Sequence, residues 1–180
     1  MFSQTDFFMK RIRSDRSGAA GIEFGFVAPL LILLLLASFT IFDLFRAANI
    51  ADKSTFTIGD FISRQTEVTD SVLGQAKAMM QRLARNDVGN PQIRISSVMR
   101  TSEGFAVQWT YNSENGELSK SKLDIRHVPD IAINDSVIFT ETIVKVYPFM
   151  AVSIGRNNGL FTFEHRAVTR PRFVGRIARR

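Results

Sequence analysis

The chain has 180 residues, 45% of them hydrophobic, with no cysteine and a formal net charge of +6. That length holds one ordinary domain plus an anchoring segment. The lack of cysteine excludes a disulfide framework and thiolate metal sites, so any exported part must rely on packing.

Residues 1–18 read as a short basic leader, in which Lys10, Arg11, Arg13 and Arg16 outweigh Asp6 and Asp15. An apolar run follows. Residues 24–42 contain no charge, and at about 1.5 Å per helical residue they reach roughly 28 Å, close to the thickness of a hydrocarbon core. The stretch from Leu30 to Leu36 is apolar on every side of a helix, which a soluble core helix rarely needs. We therefore read residues 19–42 as a single transmembrane helix.

Charges after it (Asp43, Arg46, Asp52, Lys53) roughly cancel. The positive-inside rule then places the N-terminus in the cytoplasm and residues after about 43 outside it. An ordinary cleaved signal fits less well. The apolar run is longer than a usual signal core, and residues 42–46 offer no small-x-small cleavage site.

Within the span, Pro29 removes a backbone donor, which membrane helices tolerate when neighbours compensate. Gly21 and Gly25 lie four apart, a spacing that lets another helix approach closely. They also read as incidental small residues. Glu23 is an acid at the mouth of the span, and intramembrane acids are costly without a partner.

The helical pattern continues beyond the span. Phe42, Phe45, Ala48 and Ala51 recur every three residues. Ile58, Phe61 and Ile62, then Val72, Ala76, Met79, Met80 and Leu83, recur every three or four. Residues 43–85 are expected to form one long helix or two, with Asp60 and Asp70 as caps or breaks. Residues 86–91 are a turn cluster.

The period then switches to two. Ile93 and Ile95 flank Arg94, and Phe105, Val107, Trp109 and Tyr111 alternate with Ala106, Gln108 and Thr110 as a half-buried strand. A short strand is expected at Leu123, Ile125 and His127. A longer one runs from 137 to 147, and a last one from 160 to 168, with the pieces at 137–154 and 160–168 forming a hairpin around the turn 155–159. The expected class is α+β: a transmembrane helix continuing into an amphipathic helical region, then a mostly antiparallel sheet. From Arg156 onward seven arginines face one acid, Glu164. This basic tail reads as solvated or as the end of an interaction strand. Nucleic acid is not an expected partner on the exported side.

Taken together, the basic leader, Gly18-Ala19-Ala20-Gly21-Ile22-Glu23-Phe24, and the leucine-rich helix entered at Pro29 resemble the TadE/TadF-type pseudopilins of tight-adherence (Tad, or Flp) pilus systems. The resemblance covers about the first 45 residues. It implies a pilin-like fold and cleavage between Gly18 and Ala19 by a prepilin peptidase. It also implies that Glu23 acts in assembly, pairing with the new N-terminal amine of a neighbouring subunit. Phe24 and the helix after it, with Gly21, Gly25 and Pro29, would supply the packing surface. Implied partners are other pilins and pseudopilins and the inner-membrane platform proteins of the pilus machine, with no cofactor.

Gly21 departs from the more usual alanine or valine. Its low helix propensity weakens the first turns. The principal alternative is an uncleaved, single-pass anchored periplasmic binding module. Enzyme readings have little support. His127 and His165 are the only histidines, and no metal-ligand spacing, phosphate loop or nucleophile elbow is present.

Overall fold

The computed structural model describes residues 17–113, 116–150 and 159–180. The basic charges of the leader and most of the 155–159 turn lie outside the described residues. The chain divides into two compact units between Ile41 and Phe42.

The first unit is the N-terminal part of helix α1, which runs Ser17–Ser63 with Pro29 inside it. Its apolar side chains are bare, and from Leu30 to Leu35 every one is more than half exposed. It is the one described helix long and apolar enough to cross a membrane. Two of its hydroxyls are satisfied within the helix. Ser38 Oγ donates to Leu34 O and Thr40 Oγ1 to Leu36 O, each at 2.8 Å, as a hydrocarbon environment requires.

The second unit is α+β. Residues 42–63 of α1 continue without a break and turn one stripe inward: Ala47, Ala51, Thr55, Ile58 and Ile62 are buried. The stripe therefore begins at Ala47, one turn later than periodicity suggested, and Phe42 and Phe45 remain exposed. After β1 (Glu67–Val68) comes α2 (Asp70–Leu83), which buries Leu73, Ala76 and Met80. The helical region is thus two helices. The cap of α2 is Thr69, whose side chain accepts from Val72 N, and Asp70 is its first residue. Asp60 interrupts nothing; it sits in the last turn of α1 and pairs with Arg64.

Four antiparallel strands follow: β2 (Gln92–Thr101), β3 (Gly104–Asn112), β4 (Ser136–Val146) and β5 (Phe161–Thr169), in the spatial order β3-β2-β4-β5. The expected β4–β5 hairpin pairing is present, with Ile143 opposite Glu164. Strand β4 is central and almost wholly buried.

The two faces of the sheet have different covers. Ile93, Ile95, Ile138 and Val144 pack with Ile58 and Ile62 of α1 and Leu73, Ala76 and Met80 of α2. Val98, Val137 and Phe139, of opposite parity, pack with Val128 and Ile131 and with Leu123 and Ile125 from the β3–β4 connection. That connection contains α3 (Glu117–Lys120) and a 3-10 turn at Ile125–His127. The short strand expected at 123–127 is absent because Asp124 accepts from Arg126 N and caps the turn locally.

The even alternation read along β3 also breaks. Ser97 faces Trp109 but Val98 faces Val107, leaving Gln108 as an extra residue, a β-bulge. A one-residue insertion reverses the faces on either side. Phe105 consequently packs in the second cluster, whereas Trp109 and Tyr111 pack in the first.

The C-terminal end is not a free tail, although its arginines stay largely exposed. Ile177 is fully buried in the helix-side core, and β6 (Ala178–Arg179) pairs in parallel with β1. Trp109 Nε1 donates to Ile177 O at 2.9 Å. Arg172, Arg179 and Arg180 pair with Asp60, Asp70 and Glu67 respectively.

Candidate functional site

The residues singled out on the apolar helix all lie on α1. Gly18, Gly21, Glu23, Phe24, Gly25 and Pro29 are exposed. A Cβ added at Gly18, Gly21 or Gly25 would meet nothing within 4 Å, so these glycines serve no packing within the described chain.

Helical geometry separates the set into two faces. At about 100° per residue, Gly21, Gly25 and Pro29 drift only about 40° per step and share one stripe. Glu23 lies roughly opposite it, one turn beyond position 19. Pro29 has no N–H, so the carbonyl of Gly25, four residues earlier, has no helical donor. An open carbonyl on a stripe without bulky side chains is accessible to a neighbouring helix.

Glu23 has no hydrogen-bond or ion-pair partner among the described residues. Gly18 and Ala19 lie in the first turn of α1, which begins at Ser17 rather than after the leader. A protease that needs an extended strand must therefore open that turn. Glycine is a poor helix former, which weakens that turn.

Two polar constellations in the second unit escaped sequence reading. The first is a row across three strands: Arg94 opposite Glu141, and Glu141 opposite Arg166. Arg94 Nε donates to Glu141 Oε2 at 2.6 Å, with side chains only 5% and 4% exposed. Arg94 Nη1 also donates to the carbonyls of Leu118 and Ser121, at 2.6 and 2.7 Å. The pair thereby fastens the connection that covers this face.

The second constellation centres on Arg85. It donates to both carboxylate oxygens of Asp43 (3.0 and 2.8 Å), to Asp87 (3.1 and 2.9 Å) and to Tyr147 O (3.0 Å). Asp87 also accepts from Tyr147 N at 2.8 Å. Burial alone would raise the Asp87 carboxyl; the Arg85 and Tyr147 hydrogen bonds outweigh it and leave the group below its ordinary value. The same carboxylates push the Arg85 guanidinium up.

The two histidines lie in separate settings. His127 Nδ1 is 3.2 Å from Asp124, a carboxyl that hydrogen bonding from Arg126 holds down to about 2. His165 Nδ1 is 3.5 Å from Asp52 on α1. Among the described residues no three His, Cys, Asp or Glu side chains gather as a metal set. Comparison with protein-family models, curated proteins and solved structures finds no match.

Proposed function

We propose that this chain is a minor pseudopilin or pilus-assembly component of a Tad-type adhesion pilus. In this reading it is cut between Gly18 and Ala19 by a prepilin peptidase and acts through helix packing in the inner membrane. The observation that carries the reading is Glu23: an exposed carboxylate with no partner among the described residues, at the start of a membrane-length helix and five positions past Gly18. A charge at the centre of a bilayer costs about 2.5–3.5 kcal/mol on insertion scales, and one at the mouth of the span costs less, so a partner that neutralises Glu23 is favoured. Cleavage after Gly18 creates one, the amine of Ala19 in a neighbouring subunit. An ion pair in a low dielectric is tolerable when both charges are satisfied, and it sets the register between helices.

The stripe of Gly21, Gly25 and Pro29, on the other face, offers a second helix a close approach. The packing of residues 42–63 of α1 on an antiparallel sheet supports a pilin-like architecture. The flanking charges support a cytoplasmic N-terminus and a periplasmic second unit.

The test is N-terminal mass spectrometry of membrane-extracted protein, with and without the cognate peptidase. The expected chain starts at Ala19 only when the peptidase is present. A start at Met1 in both would leave an uncleaved, anchored binding module instead. Glu23→Ala is expected to insert normally but to be lost from assembled pili; normal piliation in that variant would remove the assembly role.

A further inference from the structure

The surface around Asp43 is built for a task that pilus assembly leaves unaddressed. Asp43 immediately follows the charge-free stretch 24–42, so covalent connectivity places it within a turn of the point where that stretch ends. Arg85 binds Asp43, Asp87 and the carbonyl of Tyr147 at once, which holds the 86–89 turn and the 147–149 segment beside this exit point.

Those segments present apolar side chains outward: Val88, 41% exposed, Tyr147, 40%, and Phe149, 70%. The turn carrying Val88 is ordered, with Asn86 Nδ2 donating to the carbonyls of Val88 and Gly89 at 2.7 and 3.0 Å. Phe45, also exposed, lies about 3 Å further along the helix axis and about 200° around it from Asp43. Phe45 therefore stands on the far side of the helix from the segments that Arg85 holds at Asp43.

Charge is balanced there. Asp43 and Asp87 are both bound to Arg85, and Arg46, one turn past Phe42, has no partner among the described residues. Among the described residues, two cations against two acids leave this collar without net charge. A neutral collar of Tyr, Phe and Val with one free arginine matches the chemistry of a lipid headgroup boundary, where amphipathic rings settle and cationic side chains reach phosphates.

We propose that this surface lies on the glycerophospholipid boundary of the bilayer that α1 crosses, with Phe45, Val88, Tyr147 and Phe149 as anchors. The inference rests on residues 24–42 spanning that bilayer. It is independent of cleavage at Gly18.

The test uses the full chain in vesicles of phosphatidylethanolamine and phosphatidylglycerol. Because the protein has no cysteine, single nitroxide labels go onto Phe149→Cys, Val88→Cys, Leu34→Cys and Ile133→Cys. Ile133 is exposed at the opposite end of β4, about 33 Å away along that strand. Accessibility to oxygen relative to a water-soluble nickel chelate is then measured. At 88 and 149 the ratio is expected to be severalfold above that at 133, with 34 higher still. Values at 88 and 149 equal to that at 133, with 34 in lipid, would overturn the proposal. So would labels at 88 and 149 shielded from both reagents, which would mean that protein covers the surface. A water-exposed label at 34 would remove the spanning reading, and this proposal with it.

Discussion

Arg94 and Glu141 face each other on neighbouring strands, and nearly every donor of the guanidinium is used. One goes to Glu141 and others to the carbonyls of Leu118, Ser121 and Lys122. Replacing one partner leaves the other charge buried without compensation, and that costs about 3–5 kcal/mol. Glu141→Leu should therefore lower unfolding free energy by about 3 kcal/mol, the low end, because Arg94 keeps its carbonyl acceptors. The double variant Arg94→Met/Glu141→Leu should recover much of that loss. Denaturant titration of the detergent-solubilised chain measures both, and a double variant no better than the single would mean the pair is not the cause. In sequence, Arg94 is simply the polar member of an alternating strand. Its burial depends on the connection that folds over it.

At the scale of elements, α1 joins two kinds of surface in one helix. Its apolar turns carry exposed side chains, whereas its later turns approach the sheet closely. Gly59 marks one close approach: a Cβ there would lie 3.2 Å from Thr169 Cγ2 and 3.4 Å from Thr140 Oγ1. Thr169 Oγ1 also donates to Gly59 O at 3.0 Å, and Thr55 and Thr142 hydroxyls meet at 2.6 Å. Gly59→Val would force these backbones apart, at the 1–3 kcal/mol typical of overpacking, so about 2 kcal/mol is expected. Gly21→Ala, with open space around it, should leave thermal stability unchanged or slightly raised. Parallel melting curves check both, and equal melting temperatures for Gly59→Val and the parent would contradict the close-packing account. Gly59 carries no sign of this role in the sequence, where it is one small residue in a helical stretch.

For the molecule as a whole, the C-terminal strap closes the helix-side core of the second unit. Ile177 fills that core while the arginines around it pair with acids on α1, β1 and α2. The ion pairs are largely exposed and each contributes little; the buried isoleucine dominates. Ile177→Ala is expected to cost about 3 kcal/mol. Arg180→Ala is expected to cost under about 1 kcal/mol. Chemical denaturation of the two variants ranks them, and the reverse order would show that charge rather than burial holds the strap.

An uninterrupted apolar run determined the membrane-length helix, and hydrophobic periodicity determined the helical character of 43–85, though not its division into two helices, and the four main strands, because each is dictated by residues a few positions apart. Glu23 was legible as an anomaly for the same reason: its setting is the contiguous chain around it. Tertiary structure decided what depends on register between distant segments. It placed a bulge at Gln108 that sends Phe105 and Trp109 to opposite faces, and it buried Arg94 against Glu141. It brought Arg85 onto Asp43, and it turned an arginine-rich end from a free tail into a strap. Such pairings join residues tens of positions apart, and no local pattern encodes which charge meets which; only the folded sheet, with its fixed strand order and pleat, sets them side by side.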